Sequence, residues 1–255
     1  MPLAKRIIPT LLFKGDTLVK GKKFGWPRSI GSVVQAAKIY GRRGADEILL
    51  CDIAATPENR GPNLKVVEKI ADDFFTPLTV GGGVRSWTDV RDLLKAGADK
   101  VAINTAAYGT DLIRECADKF GSQAIVASID YRLFKGAHRW HATCYSHCGQ
   151  VNAAWNPHAA AVLAVQHGAG EILLTCIDCE GTMLGYELDY LRLIAGIVTV
   201  PVIANGGCGG EEDCRLAFDN GASAVGIGSL FAFTDATPAT MARHLADKGI
   251  EVRMP

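Results

Sequence analysis

One stretch of this chain occurs twice, in a fixed register. Gly44-Ala45-Asp46-Glu47-Ile48-Leu49-Leu50 returns 124 residues later as Gly168-Ala169-Gly170-Glu171-Ile172-Leu173-Leu174. The same offset carries Pro77-Leu78-Thr79-Val80-Gly81-Gly82-Gly83 onto Pro201-Val202-Ile203-Ala204-Asn205-Gly206-Gly207, and Gly97-Ala98-Asp99-Lys100 onto Gly221-Ala222-Ser223-Ala224. Solenoid repeats recur every ~20–50 residues, so this period is too long for one. A doubled half-domain remains, each half holding several strand–helix units and a Gly-rich turn.

Short runs rich in Val, Ile and Leu recur at Arg6–Leu12, Glu47–Ile53, Pro77–Gly81, Lys100–Asn104, Ala124–Asp130, Glu171–Ile177, Pro201–Asn205 and Ala224–Ser229. They are continuously apolar rather than alternating, as in parallel strands buried on both faces. Helical stretches separate them, at Ser32–Tyr40, Leu64–Asp73, Trp87–Ala96, Asp111–Lys119, His158–His167, Tyr186–Gly196, Glu211–Asn220 and Pro238–Lys248. Several open near Ser, Asp or Thr and stop before Gly. Eight strands alternating with eight helices predict one (β/α)8 TIM barrel over residues 1–255, built from two similar half-barrels. A barrel of this length is commonly a single domain. Chemistry in this fold sits on the loops that follow the strands.

Charge narrows the partners. The 27 basic and 27 acidic residues give a net charge of +0, which argues against nucleic acid and against a polybasic membrane anchor. No apolar run reaches ~18 residues, so no membrane span is expected. Met1-Pro2-Leu3-Ala4-Lys5-Arg6 has no signal-peptide core, and the 8 cysteines, several inside apolar runs, read as buried free thiols. A cytoplasmic protein without metal or cofactor is expected.

The Gly-rich turns are the first chemical feature. Gly81-Gly82 follows strand three and Gly206-Gly207 follows strand seven, in the same register of the repeat. Glycine lets backbone N–H groups approach an anion, and a helix N-terminus behind them favours negative charge. Asn104-Thr105 after strand four and Gly228-Ser229 after strand eight are again equivalent positions. Two phosphate cradles facing each other across the mouth are predicted, with Gly181 after strand six joining them, so a phosphorylated small molecule is the expected ligand. Charges on strands are the second feature. Arg6, Glu47, Lys100 and Glu171 stand at strand starts, where the barrel floor lies. Spacing alone reads them as ordinary solvent-facing charges; a ring of ion pairs closing the floor is the other reading.

These residues resemble the cyclase subunit family of imidazole glycerol phosphate synthase along nearly the whole chain. The resemblance is carried by Leu18-Val19-Lys20-Gly21, Thr79-Val80-Gly81-Gly82-Gly83, Ala98-Asp99-Lys100-Val101-Ala102-Ile103-Asn104-Thr105, Phe120-Gly121-Ser122-Gln123 and Gly168-Ala169-Gly170-Glu171-Ile172-Leu173-Leu174-Thr175. It implies a barrel that binds a doubly phosphorylated ribosyl substrate at its mouth, with a class I glutaminase docked on the floor and sending ammonia up the axis. It makes Arg6, Glu47, Lys100 and Glu171 the ammonia gate. It places Asp52, Gln123 and Thr175 on the ammonia path and active site, and Lys20 and Asp130 among the catalytic residues.

One departure stands out. The family's acid/base pair is an aspartate ending strand one and another ending strand five. Asp130 keeps the second place, but the first is Leu12, which cannot exchange a proton. Losing a positioned acid or base typically costs ~10²–10⁴-fold in rate. Asp16 lies nearby in the loop and would need an unusual turn to replace it. Glu180 stands where the family usually has Asp, and Ala232 where it has His. A kept floor with a broken acid/base pair resembles the paralogues of surface-polysaccharide and nonulosonate pathways. There the barrel and its glutaminase supply ammonia to a separate sugar amidotransferase that makes an amidino sugar. The alternatives are a histidine-pathway cyclase with relocated acid/base chemistry, and a non-catalytic scaffold that activates a glutaminase.

Three further segments have two readings each. His141, Cys144, His147 and Cys148 could be zinc ligands, but their spacing matches no common finger and the run alternates like a surface hairpin. Cys176-Ile177-Asp178-Cys179 has redox spacing outside any thioredoxin-like unit. Lys22-Lys23-Phe24-Gly25-Trp26-Pro27 is either a lid over the mouth, as in the family, or an ordinary surface loop.

Overall fold

In the computed structural model, which describes residues 4–72, 74–135 and 140–254, the chain runs β1 (Arg6–Lys14), β2 (Thr17–Lys22), β3 (Gly25–Ser32), α1 (Val33–Arg42), β4 (Ile48–Asp52), α2 (Leu64–Ala71), β5 (Leu78–Gly81), α3 (Trp87–Lys95), β6 (Lys100–Ile103) and α4 (Leu112–Phe120). It continues with β7 (Ile125–Lys135), β8 (Trp140–Ser146), β9 (Val151–Asn152), α5 (Pro157–Gln166), β10 (Glu171–Cys176), α6 (Leu188–Ala195), β11 (Val202–Asn205), α7 (Glu211–Asp219), β12 (Ala224–Ile227), α8 (Ser229–Phe233) and α9 (Pro238–Asp247). Strands β1, β4, β5, β6, β7, β10, β11 and β12 pair in parallel in that order, and β12 closes onto β1. The expected (β/α)8 barrel is therefore present. Asp73, placed at the end of the second helix from sequence, lies outside the described residues.

The repeat persists in the backbone. Gly44, Gly97, Gly168 and Gly221 end their helices with φ of 82°, 108°, 93° and 97°. This is the left-handed conformation that terminates a helix at low cost only with glycine. Asn104 (φ −109°, ψ −82°) and Gly228 (φ −111°, ψ −78°) share one unusual geometry, and each is followed by a short helical turn, Thr105–Ala107 or α8. The acid of Gly-Ala-Asp has a structural job. Asp46 Oδ2 accepts from Ile7 N and Asp99 Oδ2 from Leu78 N, both at 2.8 Å, which pins each helix-to-strand turn to the neighbouring strand.

Two differences from the sequence reading matter. The last strand stops at Ile227, so Gly228-Ser229 opens α8 instead of ending a strand. Strands one and five also run past the barrel rim into antiparallel hairpins: β1 with β2 and β3, and β7 with β8 and β9. The second confirms the alternating hairpin, of which His138 and Arg139 lie outside the described residues. The first carries no strand pattern in sequence, because only Leu18 and Val19 are apolar and buried in β2, too short a signal for a strand.

The core has two parts. Apolar residues between barrel and helices form the larger one, in which Val66, Val67, Ile70, Val90, Leu93 and Ile194 from the helices are fully buried. Ile8, Leu49, Ala102, Val126, Leu173, Ile203 and Ala224 form a separate layer inside the barrel. Period-two alternation along the strands makes this split. Arg6, Ile8 and Thr10 share one side of β1, as do Glu47, Leu49 and Cys51 around β4. No described helix is long and apolar enough to cross a membrane.

Candidate functional site

The barrel interior is stacked in three levels. At the floor Arg6 Nη1 donates to Glu47 Oε2 at 2.6 Å, its other Nη contacts Glu171, and Lys100 Nζ donates to Glu47 and to Glu171, both at 2.9 Å. Cations and anions alternate around a closed ring of four. Thr79 Oγ1 adds a 2.6 Å bond to Glu47 Oε1. Both carboxylates are buried, while the cations keep about a quarter of their side chains open, at 25% and 22%. Burial disfavours the Arg6 charge, but Glu171 and Glu47 outweigh it and raise its pKa. The four residues are an ion-pair ring, not solvent-facing charges. Above it lies the apolar layer of Ile8, Leu49, Leu173 and their neighbours.

The third level is polar and opens into a cavity of about 300 Å³ at the mouth. Thr10 Oγ1 and Asn205 Oδ1 lie 3.0 Å apart, and Asn205 Nδ2 donates to Thr175 Oγ1 at 3.1 Å. Asn104 Nδ2 donates to the Ser128 carbonyl at 3.0 Å and approaches Asp130 Oδ2 at 3.3 Å. Burial pushes Asp130 up to about 7, against hydrogen bonds from Thr175 and Ser128 that pull it down. A carboxyl near neutrality can both give and take a proton at physiological pH.

Leu12 lines the same cavity, in register with Cys51 on β4 and Val19 on β2. Asp16 does not replace it. Its side chain sits exposed at the hairpin turn and pairs with Lys69 at 3.1 Å, outside the cavity. Lys20 is buried, and its Nζ donates to the Thr10 carbonyl at 2.9 Å. Burial lowers its pKa to about 8, partly offset by Glu180. Glu180 is raised by burial and drawn back by Lys20. The cavity thus holds the carboxyls of Asp52, Asp130 and Glu180 and a softened amine, with the apolar Leu12 where the resemblance places a partner for Asp130.

The Gly-rich turns line this cavity from both halves. Gly81, Gly82, Asn104 and Thr105 come from one half, and Gly181, Gly206, Gly207, Gly228 and Ser229 from the other. A Cβ on Gly82 would sit 2.2 Å from the Asp52 carbonyl, and one on Gly207 2.0 Å from the Gly185 carbonyl, so glycine is required at both. The Lys20 ammonium lies beside Gly228; a Cβ there would meet Nζ at 2.2 Å. The Ser229 hydroxyl is buried at this turn with no hydrogen-bond partner among the described residues.

Of the residues placed on the ammonia path, Asp52 and Thr175 reach the cavity and Gln123 does not. Gln123 is exposed below β7, in the turn Ser122–Ala124, on the floor side. Asp52 is clamped by Arg60 at 2.7 Å and caps Ala54 N and Ala55 N, so its main work is to hold the loop after β4. Ala232 lies on α8 and does not line the cavity. Sequence reasoning missed Thr10, Cys51, Phe24 and Cys148 as cavity residues. Period two from Leu12 and Glu47 gives the first two; the others come from hairpins whose path no local pattern reveals.

The first hairpin crosses the mouth. Lys23 N donates to the Glu180 carbonyl at 2.9 Å, and Phe24 N approaches Glu180 Oε2 at 3.5 Å. The turn Lys23-Phe24 is left-handed at both residues (φ 53° and 62°), and Phe24 packs on Gly149 of the second hairpin. The lid reading is the one that matches this path. The zinc reading fails: Cys144 is buried and Cys148 Sγ turns to the Ile53 carbonyl at 3.3 Å. Among the described residues no three His, Cys, Asp or Glu side chains converge as metal ligands.

The sequence that builds this barrel is similar to known sequences. Residues 6–237 fit the model of the family described as histidine biosynthesis protein. The chain is 44% identical over 253 residues to the imidazole glycerol phosphate synthase subunit HisF of Dictyoglomus thermophilum, covering 99% of each. The chain belongs to the HisF-like histidine biosynthesis proteins. The matched region contains every ring and cavity residue named above.

Proposed function

We propose that this chain is the ammonia-receiving barrel of a two-protein amidotransferase and does not carry out the ring-closing cyclase reaction itself. Leu12 carries this reading. It faces a cavity in which Asp130 is tuned to about 7, and Asp16 points elsewhere. Glu180 is the other cavity carboxyl that burial raises, but it faces Lys20 and the hairpin tip, so Asp130 lacks the paired acid/base group that ring closure needs to add and remove protons.

The floor supports a class I glutaminase as partner. The ring of Arg6, Glu47, Lys100 and Glu171 is intact, and Gln123 is exposed beside it. Ammonia released below would pass the ring and the apolar layer into the mouth. There the two Gly-rich turns, with Lys20 and the unpartnered Ser229 hydroxyl, suit a phosphorylated small molecule. The ammonia then serves a separate sugar amidotransferase that builds an amidino sugar. A second reading is the synthase subunit of histidine biosynthesis. The 44% identity favours it, as does the Lys20–Glu180 pair as a substitute acid and base.

The experiment mixes the chain with its cognate glutaminase, glutamine and the ribosyl substrate. A one-to-one complex with faster glutamine hydrolysis and no imidazole glycerol phosphate is expected. No association at micromolar concentration would remove the partner, and turnover like that of ordinary cyclases would establish the second reading.

A further inference from the structure

We propose that Cys208 and Cys214 are a peroxide-sensitive dithiol whose closure to a disulfide weakens the anion turn after β11. The two sulfurs lie 3.5 Å apart, and both thiols are free. Cys208 follows Gly207 directly and lines the mouth cavity, while Cys214 sits fully buried behind it in the first turns of α7. Cys208 is also buried but borders the cavity, so of this pair it is the thiol a small oxidant in the mouth reaches first, with the resolving thiol already in place.

The chemistry balances with hydrogen peroxide as oxidant. The Cys208 sulfur attacks one peroxide oxygen, the O–O bond breaks, and one water leaves with the Cys208 proton, giving a sulfenic acid. The Cys214 sulfur then attacks the Cys208 sulfur, the S–O bond breaks, and the hydroxyl leaves as a second water with the Cys214 proton. Two thiols lose two electrons, and peroxide becomes two waters. The hydrogen bond to Cys208 and burial raise the Cys214 pKa, so the first attack on peroxide falls to Cys208, at the cavity, and resolution is the slower step.

Closure pulls on the turn. A disulfide needs sulfurs ~2.05 Å apart, about 1.5 Å nearer than they stand. Helix α7 is anchored through buried Ala217 and Phe218, so the displacement falls on Cys208. Gly207 has no slack to absorb it, since it already packs against the Gly185 carbonyl and Cys179. The effect on ligand rests on the phosphate reading of this turn; the disulfide itself does not.

The test treats the full chain with hydrogen peroxide and maps its peptides. A reversible Cys208–Cys214 disulfide is expected, forming more slowly when inorganic phosphate fills the cavity. The oxidised chain should bind inorganic phosphate about tenfold more weakly, the loss of one charge-assisted hydrogen bond, with recovery on reduction. Cys214→Ser should stop at a Cys208 sulfenic acid that a dimedone probe captures. Failure to form this disulfide, a disulfide between Cys176 and Cys179 instead, or equal phosphate affinity in both states would overturn the proposal. A reduced chain that binds no phosphate would remove the anion reading and the coupling, while the peptide map still decides the dithiol.

Discussion

Leu12→Asp should convert this barrel toward a working cyclase, and the structure sets the size of the change. Leu12 is half-buried at the cavity wall, so trading it for a carboxyl loses ~1 kcal/mol of apolar burial. For a chain of this size that lowers Tm by ~2–4 °C. The new carboxyl shares a cavity with Asp130, already held near 7 by burial, and the like charge pushes Asp130 higher still. Around neutrality one carboxyl is then charged and the other protonated, the division of labour that paired acid/base catalysis needs. Restoring one positioned group is worth ~10²–10⁴-fold, or about 3–5 kcal/mol of barrier. The assay supplies ammonium salts and the ribosyl substrate and follows imidazole glycerol phosphate, with Leu12→Asn as the variant that adds polarity without a proton. The Asp variant should gain at least ~10²-fold over both, with a bell-shaped pH profile. Equal rates for wild type and the Asp variant, or a gain matched by the Asn variant, would refute the argument that a missing proton carrier silences the site.

Three other outcomes are expected. Lys100→Met leaves Glu47 and Glu171 each with Arg6 but without their second cation; it should cost ~1–3 kcal/mol in urea unfolding and abolish glutaminase stimulation. Asp130 has a folded pKa raised from 3.8 to about 7, so the folded state binds the extra proton and stability falls as pH climbs from about 4 to 7; Asp130→Asn should therefore be more stable than wild type by ~2–4 kcal/mol at pH 8, with the gap closing toward pH 4, and an unchanged gap would contradict the buried assignment. Ser229→Ala removes a buried hydroxyl without partner, so it should leave Tm level or raised while weakening phosphate binding about tenfold in calorimetry.

Much of the fold was legible because its signals are local and repeated. Continuous apolar runs mark strands buried on both faces, and the helix-ending glycine of the repeat reappears with similar φ, 82° at Gly44 and 93° at Gly168. The site was legible where a residue must be glycine or charged at a strand end, as at Gly82, Gly207 and Glu47. Spacing could not decide the floor ring. Whether Arg6 faces solvent or Glu171 depends on closure of β12 onto β1, a contact between chain ends. The roles of Asp16 and Asp52 were likewise hidden, since their partners Lys69 and Arg60 are chosen by loop paths. Phe24 entered the cavity only through a left-handed turn at Lys23-Phe24, a conformation that neither residue type advertises.

The hairpin across the mouth also sets a clock. It is held at its tip by one good backbone bond to Glu180, a longer approach to the same side chain, and Phe24 against Gly149. Contacts of this number are worth on the order of 2–3 kcal/mol net, so the raised conformation is populated at roughly the per cent level. Such openings occur in microseconds to milliseconds. If the proposed ligand leaves only with the hairpin raised, it exchanges at the hairpin's pace rather than by free diffusion. Glu180 meets the hairpin tip with its carbonyl and carboxylate and faces Lys20 with the same side chain, so the hairpin and the polar level of the cavity share one residue.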